Sequence, residues 1–141
     1  MHNNLDEKTL GEYSPLMLAY IGDAVFELVV RTHVIMGGRR KIRDIHQDTV
    51  AVVKAESQAR VIRHLFNDLS EAEQDIVKRG RNAKSTPPRN ADPGDYKMST
   101  GFEALLGYLY LKGDENRLQY LINQALNIEE LNTFIGPHIE D

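Results

Sequence analysis

Two acidic residues stand where acids are costly to keep. Asp23 lies in AYIGDAVFEL between Ile21 and Val25, on the most apolar stretch of the chain, and Glu103 lies in STGFEALLGYLYL beside Phe102 and close to Leu105. An unpaired ion in apolar surroundings is penalised by several kcal/mol, so each needs a reason to be there. Both have small neighbours, Gly22 and Ala24 in the first case, Gly101 and Ala104 in the second. Small residues let helices approach closely, and two carboxylates meeting at a helix crossing form a site for a hard divalent cation. The plainer alternative is that each acid reaches solvent at a helix edge or pairs with an arginine. Glu27, one turn beyond Asp23, and Glu7 near the N-terminus read as surface acids.

The charge is unevenly spread, and that bears on what such a site would act upon. The net charge is -4, yet residues 31–89 carry 13 of the 17 Lys/Arg and only 7 of the 21 Asp/Glu. Arg39, Arg40, Lys41 and Arg43 form one basic cluster; Lys78, Arg79, Arg81 and Lys84 form another. Polyanions are bound by local basic surface rather than by net charge, although such runs also occur as solvated faces. The chain has no cysteine, which excludes disulfides, thiolate zinc sites and cysteine nucleophiles. Its five histidines show no HExxH or comparable spacing, which argues against a zinc hydrolase.

Helices must position these residues. Ser14-Pro15 is a cap followed by proline at the first helical position, opening a helix through LMLAYIGDAVFELVVRTHVIM that reads as apolar on most faces, hence buried. Gly37-Gly38 ends it. A second helical stretch is predicted from a cap near Asp44 through IHQDTVAVVKAESQARVIRHLF, with Ile45, Val52, Val53, Ala59, Ile62 and Phe66 at roughly helical spacing. Ser70 to Glu73 is a capping box for a third helix, ending near Gly80 among cations. Residues 85–98, with three prolines and a glycine, read as a loop, and Ser99 or Thr100 as the cap of GFEALLGYLYLK. Gly113-Asp114 then separates this from ENRLQYLINQALN, and IEELNTFI adds a turn or two. No strand-like alternation occurs, so the expected fold is all-α, a single domain over 1–141.

At these residues a family resemblance emerges. AYIGDAVFELVVR resembles the signature helix of the ribonuclease III catalytic domain, and FEALLGYLYL resembles that family's second acidic helix. Together with KRGRNAKS, the wording is similar to the small bacterial Mini-ribonuclease III branch, which lacks a double-stranded-RNA-binding domain. The resemblance covers roughly residues 14–126, and the chain ends where the appended RNA-binding domain would begin. Of the four acids usual in the family, this sequence keeps two. Ala19 stands four before Asp23 where glutamate is usual, Thr100 three before Glu103 where aspartate is usual, and Leu16 replaces an outer glutamate.

The resemblance implies a homodimeric endonuclease on double-stranded RNA, with precursor large-subunit (23S) ribosomal RNA as substrate and a ribosomal protein bound to that RNA as a candidate further partner. It implies Asp23 and Glu103 as catalytic Mg2+ ligands, for one or two ions per subunit. Asn82 and Lys84, with Lys78, Arg79 and Arg81, would face the phosphates. Arg39, Arg40 and His46 are further RNA-binding candidates, though a lone histidine is more often structural. Double-stranded RNA is recognised by shape, 2′-hydroxyls and phosphates rather than by base sequence. The rival reading keeps the fold as a catalytically inactive RNA- or ribosome-binding module, catalysis having gone with the acids at Ala19 and Thr100. A second rival is a helical dimerisation or adaptor domain that never meets RNA. No apolar run approaches the ~18 residues of a membrane span, and MHNNLDEKTL has neither the basic start nor the apolar stretch of a signal peptide. A cytoplasmic location is therefore expected.

Overall fold

The computed structural model describes residues 2–133, with side chains described through Glu129. These residues form seven α-helices and no strand: α1 (Glu7–Leu10), α2 (Pro15–Met36), α3 (Ile42–Val53), α4 (Ala55–Leu65), α5 (Glu71–Asn82), α6 (Pro93–Lys112) and α7 (Glu115–Thr133), with a 3-10 turn at Phe66–Asp68. None of them is long and apolar enough to cross a membrane. α6 is the central helix, packed most extensively against α2, then α5 and α4. Phe102, Leu105, Leu106 and Leu109 bury its apolar side against Phe26, Val30, Val77 and Ile62. Phe26 meets Phe102 edge-on, with ring centroids 5.5 Å apart.

The caps read in the sequence recur in part. Ser14 Oγ accepts from Met17 N at 3.2 Å. Ser70 and Glu73 close a reciprocal capping box, and Glu73 also receives a two-pronged ion pair from Arg117. Gly113, at φ 87, ends α6 in the left-handed conformation that glycine adopts without steric cost.

Four expectations change. The stretch from Asp44 is two helices, broken at Lys54, and the first starts at Ile42, so Asp44 is not its cap. The break is stabilised by side chains of the next turn: Ser57 Oγ donates to Ala51 O at 2.5 Å and Gln58 Nε2 to Val53 O at 2.7 Å. These bonds satisfy carbonyls that end α3. α6 begins at Pro93, capped by Asp92, so the loop is 83–92 rather than 85–98. Ser99 and Thr100 are buried in that helix and donate back to Tyr96 O. α7 continues through Thr133, absorbing most of IEELNTFI; Phe134 and Ile135 lie outside the described residues. Finally, α2 is not buried all round. Leu18, Ala19, Gly22, Phe26, Val30 and Val34 face the core, while Met17, Tyr20, Leu28, Ile35 and Met36 are exposed.

Candidate active site

Asp23 is the ninth residue of α2 and Glu103 the eleventh of α6, and the crossing of these helices brings them together. The approach is close because both helices present glycine. A Cβ at Gly22 would stand 1.8 Å from Glu103 O, and one at Gly107 would stand 1.9 Å from Leu18 O. The backbone that carries Glu103 therefore rests directly on the turn that carries Asp23. The small residue opposite Gly22 is Gly107; Gly101, singled out in the sequence, faces Val77 of α5 instead.

The two acids are unequal. Asp23 is exposed, contrary to the expectation of a buried acid, whereas Glu103 is largely withdrawn from water. Burial raises the Glu103 pKa from 4.5 to about 8, with the neighbouring Asp23 charge adding to the shift, while a hydrogen bond from Gln58 opposes it. Like charges this close disfavour double ionisation. Among the described residues no lysine, arginine or histidine forms an ion pair with either acid. Asp23 thus reaches solvent, as the plainer alternative had it, while the arginine pairing is realised elsewhere. Glu129, fully buried on α7, receives Arg60 at 2.9 and 3.1 Å, and Glu73 receives Arg117.

Gln58 completes the site and was missed in the sequence. It is 2 % exposed, and its Nε2 donates to Glu103 Oε2 at 3.1 Å as well as to Val53 O. The signal was present: Gln58 occupies the apolar stripe of α4 with Val61, Ile62 and Leu65. Its Oε1 is buried without a partner among the described residues.

Paired carboxylates without a countercharge suit a cation. The described residues contain no cluster of three or more His, Cys, Asp or Glu that could cage a metal. The donor set therefore fits an ion such as Mg2+, which is held by one or two carboxylates and keeps several waters. The orphaned oxygen of Gln58 is consistent with a hydrated ion nearby. At the other family positions, Ala19 is a buried methyl and the Thr100 hydroxyl is committed to Tyr96 O.

The candidate RNA contacts divide. Asn82 and Lys84 line an open depression of about 400 Å³ with Ser85, Thr86 and Lys97. They follow Gly80, which lies against Gly101, two residues before Glu103. Arg81 Nε donates to Asn82 Oδ1 at 3.1 Å. Lys78 lies over the Phe66 ring, with Nζ 5.8 Å from its centroid. Arg79 lines a different groove, with Glu7, Asp75 and Tyr108. Arg40 is engaged by Asp48 at 2.6 Å, whereas Arg39 and His46 are exposed. The Arg39–His46 stretch opens α3 and the Gln58 contact is at its far end, about 16 Å along the helix.

Comparison with known proteins agrees with this architecture. A family model for the ribonuclease III domain matches residues 16–114. Proteins named Mini-ribonuclease 3 are similar to most of the chain: that of Symbiobacterium thermophilum is 46 % identical over 117 residues, covering 82 % of this chain and 90 % of the relative. That of Staphylococcus aureus is 39 % identical over 129 residues, covering 89 % and 96 %. A crystal structure of a Fusobacterium nucleatum protein superposes with a TM-score of 0.79 at 33 % identity, covering 86 % of this chain and 94 % of that one. The chain belongs to the ribonuclease III family of endoribonucleases, within its Mini-ribonuclease 3 branch.

Proposed function

We propose that this endoribonuclease cleaves double-stranded RNA with the help of Mg2+ held by Asp23 and Glu103, and that it acts as a homodimer in the maturation of 23S precursor ribosomal RNA. One observation carries the catalytic part: two carboxylates converge at the α2–α6 crossing, and among the described residues no cation neutralises them. When bound, the ion supplies Lewis acidity, activating a water to attack phosphorus and stabilising charge on the leaving 3′ oxygen. Asp23, on the exposed side, faces the substrate; Glu103 is kept in place behind it by Gln58. Asn82, Lys84 and Lys97 offer a polar, cationic depression to the phosphate backbone. The exposed apolar face of α2 supports the dimer, since apolar stripes of this size are normally covered.

The test is cleavage of a labelled RNA duplex, with and without Mg2+, by wild type, Asp23→Asn and Glu103→Gln. Mg2+-dependent cutting by wild type and its loss in both folded variants is the expected result. Salt-sensitive RNA binding without any product, on precursor ribosomal RNA as well as on a simple duplex, would instead identify the binding-only module suggested by Ala19 and Thr100.

A further inference from the structure

We infer that Gln58 is a positioning residue of the metal site: Nε2 holds the Glu103 carboxylate, and Oε1 accepts a hydrogen bond from a water of the bound cation. The inference rests on the metal-ion reading proposed above and assigns a role to a residue outside the acidic motifs.

The orientation of the amide follows from its partners. Nε2 has two acceptors, Val53 O at 2.7 Å and Glu103 Oε2 at 3.1 Å. Reversing the amide would set its carbonyl oxygen against both of them, so the assignment is fixed by the network. Oε1 then occupies the other arm, about 2.2 Å from Nε2 by amide geometry. It therefore lies in the immediate neighbourhood of the Glu103 carboxylate. It is buried and has no donor among the described residues.

A buried carbonyl oxygen left unpaired forfeits its hydration for nothing, and native proteins rarely keep such groups without a purpose. The neighbouring groups cannot repair it. Without a cation, Glu103 carries its proton up to about pH 8, but once a cation is bound the carboxylate is ionised and only accepts, and the Thr100 proton is already given to Tyr96 O. No described residue supplies the missing donor, and none supplies a countercharge to the pair of carboxylates beside it. A cation-bound water meets both demands at once, since it arrives with positive charge and with polarised protons. The sparse donor set makes this useful to the ion. With Ala19 and Thr100 at positions where the resembled family carries acids, most of the coordination shell must be water, and those waters need fixed acceptors to hold their orientation.

The experiment measures Mn2+ binding, by electron paramagnetic resonance titration, to wild type, Gln58→Met and Asp23→Asn without RNA. It also follows the assigned side-chain amide resonances of Gln58 in 15N-labelled wild type during Mg2+ titration. Methionine keeps the length of glutamine and removes both polar atoms. We expect Gln58→Met to bind Mn2+ at least about 10-fold more weakly, and the wild-type Gln58 resonances to shift with saturation by Mg2+. Capping of Val53 O alone would alter the melting temperature but neither readout. Unchanged Mn2+ affinity in folded Gln58→Met, or unmoved Gln58 resonances in a wild type that binds metal, overturns the inference. If Gln58→Met does not fold, the wild-type resonances decide. Binding lost in Asp23→Asn but kept in Gln58→Met removes the Gln58 role alone, whereas no binding by wild type removes the metal site with it.

Discussion

Glu103 illustrates how one side chain can be held at a cost to the folded state. Without metal it is mostly buried beside Asp23, and its pKa stands near 8 against 4.5 in the unfolded chain. A carboxyl with a raised folded pKa binds its proton more tightly when folded. That stabilisation is complete below the unfolded value and is lost as pH rises to about 8. The metal-free protein should therefore lose stability between pH 5 and 8, on the order of a few kcal/mol. Glu103→Gln, neutral throughout, should remove most of this slope and melt above wild type at pH 8.5. Thermal melts in a chelator at pH 5.5 and 8.5 read the difference; a wild-type slope undiminished in the variant would mean that another group is responsible. Asp23 and Glu103 were legible in the sequence because an acid on an apolar stripe is an anomaly. Gln58 and Glu129 are anomalies of the same kind, on α4 and α7. They escaped notice because an amide is less conspicuous than a charge, and because the helix carrying Glu129 was expected to break before it.

The α2–α6 crossing sets the distance between the two acids, and glycine sets the crossing. An alanine methyl at Gly22 would stand 1.8 Å from Glu103 O, where ordinary contact begins at 3.4 Å. The obstacle is backbone, so no side chain can swing aside and the helices must separate. Overpacking of a good core costs about 1–3 kcal/mol, and a backbone collision belongs at or beyond the upper end. Gly22→Ala should lose about 3 kcal/mol or more in chemical denaturation, and any folded fraction should bind Mn2+ poorly because Glu103 has moved. Native-like stability would show that the helices slide more freely than this packing allows. The sequence placed glycine beside Asp23 correctly but could not identify its counterpart, because helical register across a crossing is set by tertiary packing. The same limit explains the break at Lys54. No glycine or proline marks it, and the bonds that compensate it come from Ser57 and Gln58 in the following turn.

At the scale of the molecule, the most apolar helix is only half used. Its inner stripe lies in the core, while Tyr20 is 84 % exposed, Leu28 62 % and Met17 55 %. Met17, Tyr20, Ala24 and Leu28 follow one another at three- and four-residue intervals, so they form one stripe rather than scattered exceptions. Two apolar grooves flank that stripe, one formed with Tyr13, Leu16 and Leu111, the other with Val25, Tyr110 and Leu118. A second copy of α2 meeting this face about a twofold axis would bury the stripe of each chain in the grooves of the other, a self-complementary arrangement. Such a pairing would account for a sequence that reads as buried on most faces although a single chain covers one. Fully covering a side chain such as Leu28 contributes about 1.5–3 kcal/mol, and each contact counts twice in a symmetric pair. Leu28→Glu and Tyr20→Glu should therefore yield folded monomers at concentrations where wild type is dimeric. Sedimentation equilibrium distinguishes the states by mass, near 16 or 32 kDa. A monomeric wild type would leave the stripe to another partner, whereas a dimer unaffected by both substitutions would place its interface elsewhere on the surface.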